Sequence, residues 1–201
     1  MLSRRSLAAG IAVVVSFVAL SLSGSAWAND HVRGELSAVK DGMISIKTAK
    51  GTTEELKLAP DTPLFLVTKA DLGAVKSGKF VGVTSVEKGG KRVAREVHVF
   101  ADSLRGLAEG HYPWDLDDDA NMMTNANIAN VSEVGADREL KLNYNGGEQT
   151  IAVPESAAIV AFDKSGPDQL VAGRKVFVIL KKDSKDPAAV VIGAEGVKPP
   201  M

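Results

Sequence analysis

Beyond residue 30, apolar positions recur with a period of two along most of the chain, the spacing of strands with one buried face. Ile44 and Ile46 alternate with Ser45 and Lys47, and Leu56 and Leu58 alternate with Glu55 and Lys57. The pattern predicts strands over 32–39, 43–48, 53–58, 64–67, 80–86 and 92–100, then over 128–134, 139–144, 149–153, 158–162, 175–181 and 188–194. Between them stand hairpin signals such as Asp41-Gly42, Gly89-Gly90 and Asn145-Gly146-Gly147, where Gly supplies positive φ at little cost. Only 70–76 reads as helix, two turns stopped by Gly78.

The predicted elements come in two similar sets. Leu36 to Pro60 lies beside Val131 to Pro154, and Leu72 to Val83 beside Leu170 to Ile179, at a steady offset of about 95 residues. That regularity reads as a tandem duplication of a module of about 70 residues, a length that folds alone only marginally. Five or six short strands with a brief helix between the third and fourth is the plan of a small, partly open OB-like barrel. The expected fold is therefore all-β: two tandem OB-like β-barrel modules, 31–100 and 128–197, joined by an irregular linker over 101–127. A single β-sandwich formed from both halves is the alternative.

Arg33-Gly34-Glu35-Leu36-Ser37-Ala38-Val39, together with Leu72 to Val83 and Leu170 to Ile179, resembles bacterial exported domains of unknown function with OB-like repeats. The stretches 110–115 and 123–127 look like a proteobacterial subset of these, some of which carry a label as metal ABC transporter permeases. The resemblance implies an OB-like fold and an exported location. The permease label does not suit a chain without predicted spanning helices.

Residues 1–28 change the picture at the N-terminus. Arg4 and Arg5 precede an apolar run from Leu7 to Leu20, and Ala26-Trp27-Ala28 offers a cleavage site, the layout of a secretory signal peptide. Cleavage after Ala28 and a periplasmic mature protein are expected. The general secretory route is favoured over the twin-arginine one, whose usual Lys a few residues on is missing. Taking Arg4 and Arg5 from 24 basic residues, against 25 acidic ones, leaves a formal charge of about −3. That balance argues against nucleic acid or an anionic membrane surface as partner. With no cysteine, disulfides, thiolate-ligated metals and thiol catalysis are excluded.

The rarer residues gather in the linker, which reads SLRGLAEGHYPWDLDDDANMMTNAN from Ser103 to Asn127. Asp115, Asp117 and Asp119 imitate the start of a calcium loop. Ala120 and Ala126 stand where the EF-hand needs Gly and Glu, so only a looser oxygen-ligand site remains open. His111 with Met122 and Met123 offers imidazole and thioether to copper. His31 would be third in a chain beginning Asn29-Asp30, where an amine, two amides and an imidazole can enclose Cu(II). Against these metal readings, Tyr112, Pro113 and Trp114 suggest a rigid aromatic strap that buries against the barrels, with Asn121, Asn125, Asn127 and Asn130 capping strand edges. His98 alternates with Glu96 and Phe100 and is expected at the surface. No G-x-S-x-G, phosphate-loop or dinucleotide fingerprint occurs. The expectation is a non-enzymatic periplasmic protein without a cofactor, binding or scaffolding an unidentified protein or small molecule. A copper or other divalent-metal accessory protein is the alternative.

Overall fold

The computed structural model describes residues 31–117, 119–135 and 137–199; the signal-peptide reading and Asn29-Asp30 lie outside them. The fold is all-β. Its strands are β1 (His31–Lys40), β2 (Met43–Thr48), β3 (Thr53–Lys57), β4 (Leu64–Lys69), β5 (Phe80–Lys88), β6 (Lys91–Phe100) and β7 (Gly110–Trp114). They continue as β8 (Asn121–Val134), β9 (Asp137–Tyr144), β10 (Gly147–Val153), β11 (Ala158–Lys164), β12 (Lys175–Leu180) and β13 (Pro187–Gly193). The helix expected over 70–76 is a single 3-10 turn, Leu72–Ala74, in which the Gly73 N–H donates to the Asp71 carboxylate. Val75 N–H closes the turn on the Leu72 carbonyl, and Gly78 N–H then bonds the Ile128 carbonyl, which commits the chain to β5 before a second turn forms. Among the described residues, no helix is long and apolar enough to cross a membrane.

The strands form one sheet in the order β10-β9-β8-β5-β6-β11-β4-β13-β12-β1-β2-β3, with β7 added to β8. A parallel contact of β10 with β6, Ile151 opposite Arg92 and Ala152 opposite Val93, closes β5, β6, β8, β9 and β10 into a five-stranded barrel. Closure covers part of the β10 edge, which would otherwise be exposed. The remaining strands lie outside this ring, and five of them, β3-β2-β1-β12-β13, curl around a core of their own.

The halves of the chain pair alike, and they pair with each other. β1 and β2 join β12, as β8 and β9 join β5. Both of the long strands, β1 and β8, carry a bulge, between Leu36 and Ala38 and between Ile128 and Asn130. Leu36 therefore corresponds to Ile128 rather than to Val131, three residues from the alignment made by sequence. The closed barrel takes β5 and β6 from before the 101–127 segment and β8 to β10 from after it. At the seam, β4 and β11 run antiparallel, with Val67 opposite Phe162; these two positions are themselves 95 residues apart, so the local axis of the arrangement passes between them.

Three apolar layers result. Val83, Val97, Leu140, Leu142 and Ile151 fill the closed barrel, and Leu36, Ile44, Ile46, Val178 and Ile192 fill the open one. The third is sandwiched outside both and is rich in aromatics: Phe65, Phe80, Phe100, Phe162 and Phe177.

Candidate functional site

Period-2 alternation decides which side chains reach the third layer. On β6, Val97 and Val99 enter the closed barrel, while His98 and Phe100 point outward into the space between the barrels. The expectation of a surface His98 is corrected here: it is 1% exposed. Alternation does place His98 on the outer face of the barrel, but that face is covered by β4, β11 and the strap, whose Phe65, Phe162 and Tyr112 line the same space.

The 101–127 segment, expected to be irregular, contains β7 and the first half of β8. It lies along the seam as a strap. Among the described residues β7 pairs only with β8, and such an edge position tolerates Pro113 because no partner there needs its missing N–H. Tyr112 opposes Met123 and Trp114 opposes Asn121, whereas His111 opposes Thr124 and Pro113 opposes Met122. Alternation thus sends Tyr112, Trp114 and Met123 toward the inter-barrel space, and His111, Pro113 and Met122 to the opposite side of the ribbon. Of the strap residues expected to bury, Tyr112, Pro113 and Trp114, the two rings face the third core layer, where Trp114 packs, and Pro113 faces away from it.

Beneath the strap is a cavity of about 600 Å³, within the range of small-molecule sites. Phe65, Phe100, Phe162, Phe177, Tyr112 and Trp114 supply its aromatic walls. Its lining draws on β1, β4, β12 and β13 on one side and β6, β8 and β11 on the other, with Leu107, Ala108 and Glu109 of the strap at the rim. The floor depends on Gly82. In register, Gly82 lies between His98 and Asn125; a Cβ there would fall 2.6 Å from Asn125 Oδ1 and 3.1 Å from Phe100 Cε2.

Four side chains that line this cavity carry a buried polar atom without a hydrogen-bond partner among the described residues: His31 Nε2, His98 Nε2, Trp114 Nε1 and Asn125 Oδ1. Native interiors rarely leave such atoms unpaired. His98 Nε2 is 3.4 Å from Glu96 Oε1, without hydrogen-bond geometry; Glu96 instead accepts a 2.8 Å bond from the Thr84 hydroxyl. Asn125 donates to the Leu107 carbonyl and to the Tyr112 hydroxyl, each at 3.2 Å. Burial pushes the Tyr112 phenol up to about 12, so it stays protonated at neutral pH.

The acidic residues go to separate partners. Asp115 accepts from His31 Nδ1 at 2.6 Å and from Arg33 Nη2 at 2.9 Å. Burial works to raise its carboxyl, but these bonds and charges outweigh it and bring the value down to about 2. Arg95 bridges Asp117 at 2.6 Å and Asp119 at 2.8 Å. The Asn121 amide, then the Asp119 N–H and Arg95, lower Asp117. His111 Nδ1 contacts the Thr124 hydroxyl at 2.8 Å; burial, then nearby Arg92, lowers its pKa. Of the sequence-derived metal candidates, the structure brings together His31 and Asp115. Asp117 and Asp119 share Arg95, and His111 and Met122 face away from Met123. Among the described residues, no three His, Asp or Glu side chains converge as a metal site.

Comparison of the chain with protein-family models, with curated proteins and with solved structures finds no match in any of the three. The site therefore stands on its own geometry. Sequence reasoning missed His98, Phe162 and Phe177 as wall residues. The signal that could have found the first was a Gly at 82 and a Glu-x-His-x-Phe run at 96–100 on the polar-looking face of otherwise apolar strands.

Proposed function

We propose that this is an exported, non-enzymatic binding protein that works in the periplasm and holds a small organic molecule between its barrels. One observation carries the reading: an aromatic cavity of about 600 Å³ whose lining side chains bear four buried polar atoms with no hydrogen-bond partner among the described residues. Such a combination of apolar wall and few polar groups suits a ligand that is buried by the wall and oriented by the polar atoms. The basic, apolar and Ala-x-Ala segments of residues 1–28 support export. The matched pairing of β1–β3 and β8–β10 supports reading the halves as copies of one module, with the cavity created by their union.

Trp114 is the only tryptophan after residue 28, so its emission reports on the cavity directly. Titration with N-phenyl-1-naphthylamine, an uncharged apolar fluorophore, should quench Trp114 by energy transfer and saturate at one probe per chain. Ala189 lines the cavity from β13, and Ala189→Phe should weaken binding at least tenfold, about 1.4 kcal/mol. Absence of saturable quenching, or equal binding by Ala189→Phe, would overturn the proposal.

A further inference from the structure

The rings and unpaired atoms of the cavity define a class of ligand, and this deduction rests on the reading of the cavity as a binding site. We infer that the cavity takes an uncharged planar heteroaromatic molecule with an N–H and a C=O on one edge, as in a lactam or imide, read by His31 and Trp114.

The walls favour a flat ring. His31, Trp114 and Phe177 form one cluster, with centroids 4.9 Å apart for His31–Trp114, 4.8 Å for His31–Phe177 and 5.9 Å for Trp114–Phe177. Phe162 forms another, 4.9 Å from Phe100 and 5.1 Å from Phe65. These rings pack on one another at ordinary aromatic distances, and the parts of them that line the cavity offer π-faces and edges to a further flat ring.

The hydrogen-bonding sense of the edge follows from the tautomer of His31. An ionised Asp115 can only accept, so the nitrogen 2.6 Å from its Oδ1, Nδ1, carries the proton. When that is the ring's single proton, Nε2 is a lone-pair acceptor, buried and without a partner among the described residues, and it calls for a ligand N–H. The neighbouring Trp114 Nε1–H can only donate, is likewise unpartnered, and calls for a ligand carbonyl. Asn125 spends its amide hydrogens on Leu107 and Tyr112 and keeps Oδ1 as a second acceptor.

Charges around the cavity select against ions of either sign. Glu96 is 2% exposed beside His98, and Asp115 holds His31 from behind, so two acidic side chains stand directly behind the lining and none of the lining side chains is a Lys or Arg to pair with an anion. The Arg33 guanidinium lies 4.7 Å above the Phe177 ring, occupying the face that a cationic ligand would seek. An uncharged molecule avoids both conflicts.

Binding of 2-quinolinone, N-methyl-2-quinolinone, naphthalene and phenyltrimethylammonium to the mature protein tests the class, read by Trp114 emission and by calorimetry. Quinolinone should bind at least tenfold tighter than the other three. Trp114→Phe, which removes the N–H and keeps a ring, should bring quinolinone to within threefold of naphthalene in calorimetry. Asp115→Asn can donate to Nδ1 and move the His31 proton to Nε2, so the preference for the N–H form over the N-methyl form should fall or reverse. If N-phenyl-1-naphthylamine binds but the four compounds differ by less than threefold, edge recognition is overturned and the cavity reading survives. Tighter binding of phenyltrimethylammonium than of quinolinone would overturn the uncharged class. Failure of every compound, the naphthylamine included, would overturn both readings.

Discussion

Asp115 ties the strap to β1 through His31 and Arg33, and its chemistry gives the fold a defined acid response. Its carboxyl is brought from the ordinary 3.8 down to about 2 in the folded chain. A depressed folded value means that the contact contributes stability above about pH 4 and loses it as pH falls toward 2. Urea unfolding midpoints between about pH 5 and pH 2 should drop across that window, and Asp115→Asn should have a shallower drop. An unchanged pH profile in the variant would show that the contact adds nothing, as many exposed ion pairs do. Not all such single-residue roles could be read from the sequence. Asp115, Asp117 and Asp119 look like a ligand set because a sequence displays spacing and hides partners. Arg95 and Arg33, which the fold brings to those acids, are distant in the chain. His98 was misplaced for a related reason, since alternation identifies a face and says nothing of what covers that face.

At the scale of elements, twelve of the thirteen strands coincide with sequence-predicted ones to within a few residues, except that β8 begins at Asn121 instead of 128. Strong period-2 runs bounded by Gly turns carry their own register, so 43–48 and 92–100 were legible from Ile44, Ile46, Val97 and Val99 alone. β7 and the start of β8 were not legible, because Asn121, Thr124 and Asn125 are polar, yet all three are buried. Their burial is a property of the strap and the closed barrel together, and Asn and Pro113 disfavour strands on local propensity. The helix over 70–76 failed in the opposite sense. Its local signals were sufficient for one capped turn, and the tie of Gly78 N–H to the Ile128 carbonyl draws the following residues straight into β5.

The whole molecule is interlaced. Similar strand patterns in the two halves of a sequence invite a picture of separate barrels, because such similarity gives no information about which strand pairs with which. Here β1–β3 and β12–β13 share one core, and β5–β6 and β8–β10 share the other. A protease site placed in the exposed loop near Leu107, then cut, should leave two fragments that co-elute at neutral pH and separate only in denaturant. Release of two independently folded pieces would contradict the pairing. Interlacing also explains why the cavity has walls from both ends of the chain: Phe162 and His98 come from one barrel's side, and Phe65, Phe177 and His31 from the other's. The central claim, that this shared space is the binding site, is tested most directly by chemical-shift mapping of the isotope-labelled protein with N-phenyl-1-naphthylamine. Shifts should concentrate on Phe65, His98, Trp114, Phe162 and Phe177, spanning both halves, while Leu36 and Leu140 inside the barrels stay still. Shifts confined to one half, or centred on the barrel interiors, would contradict it.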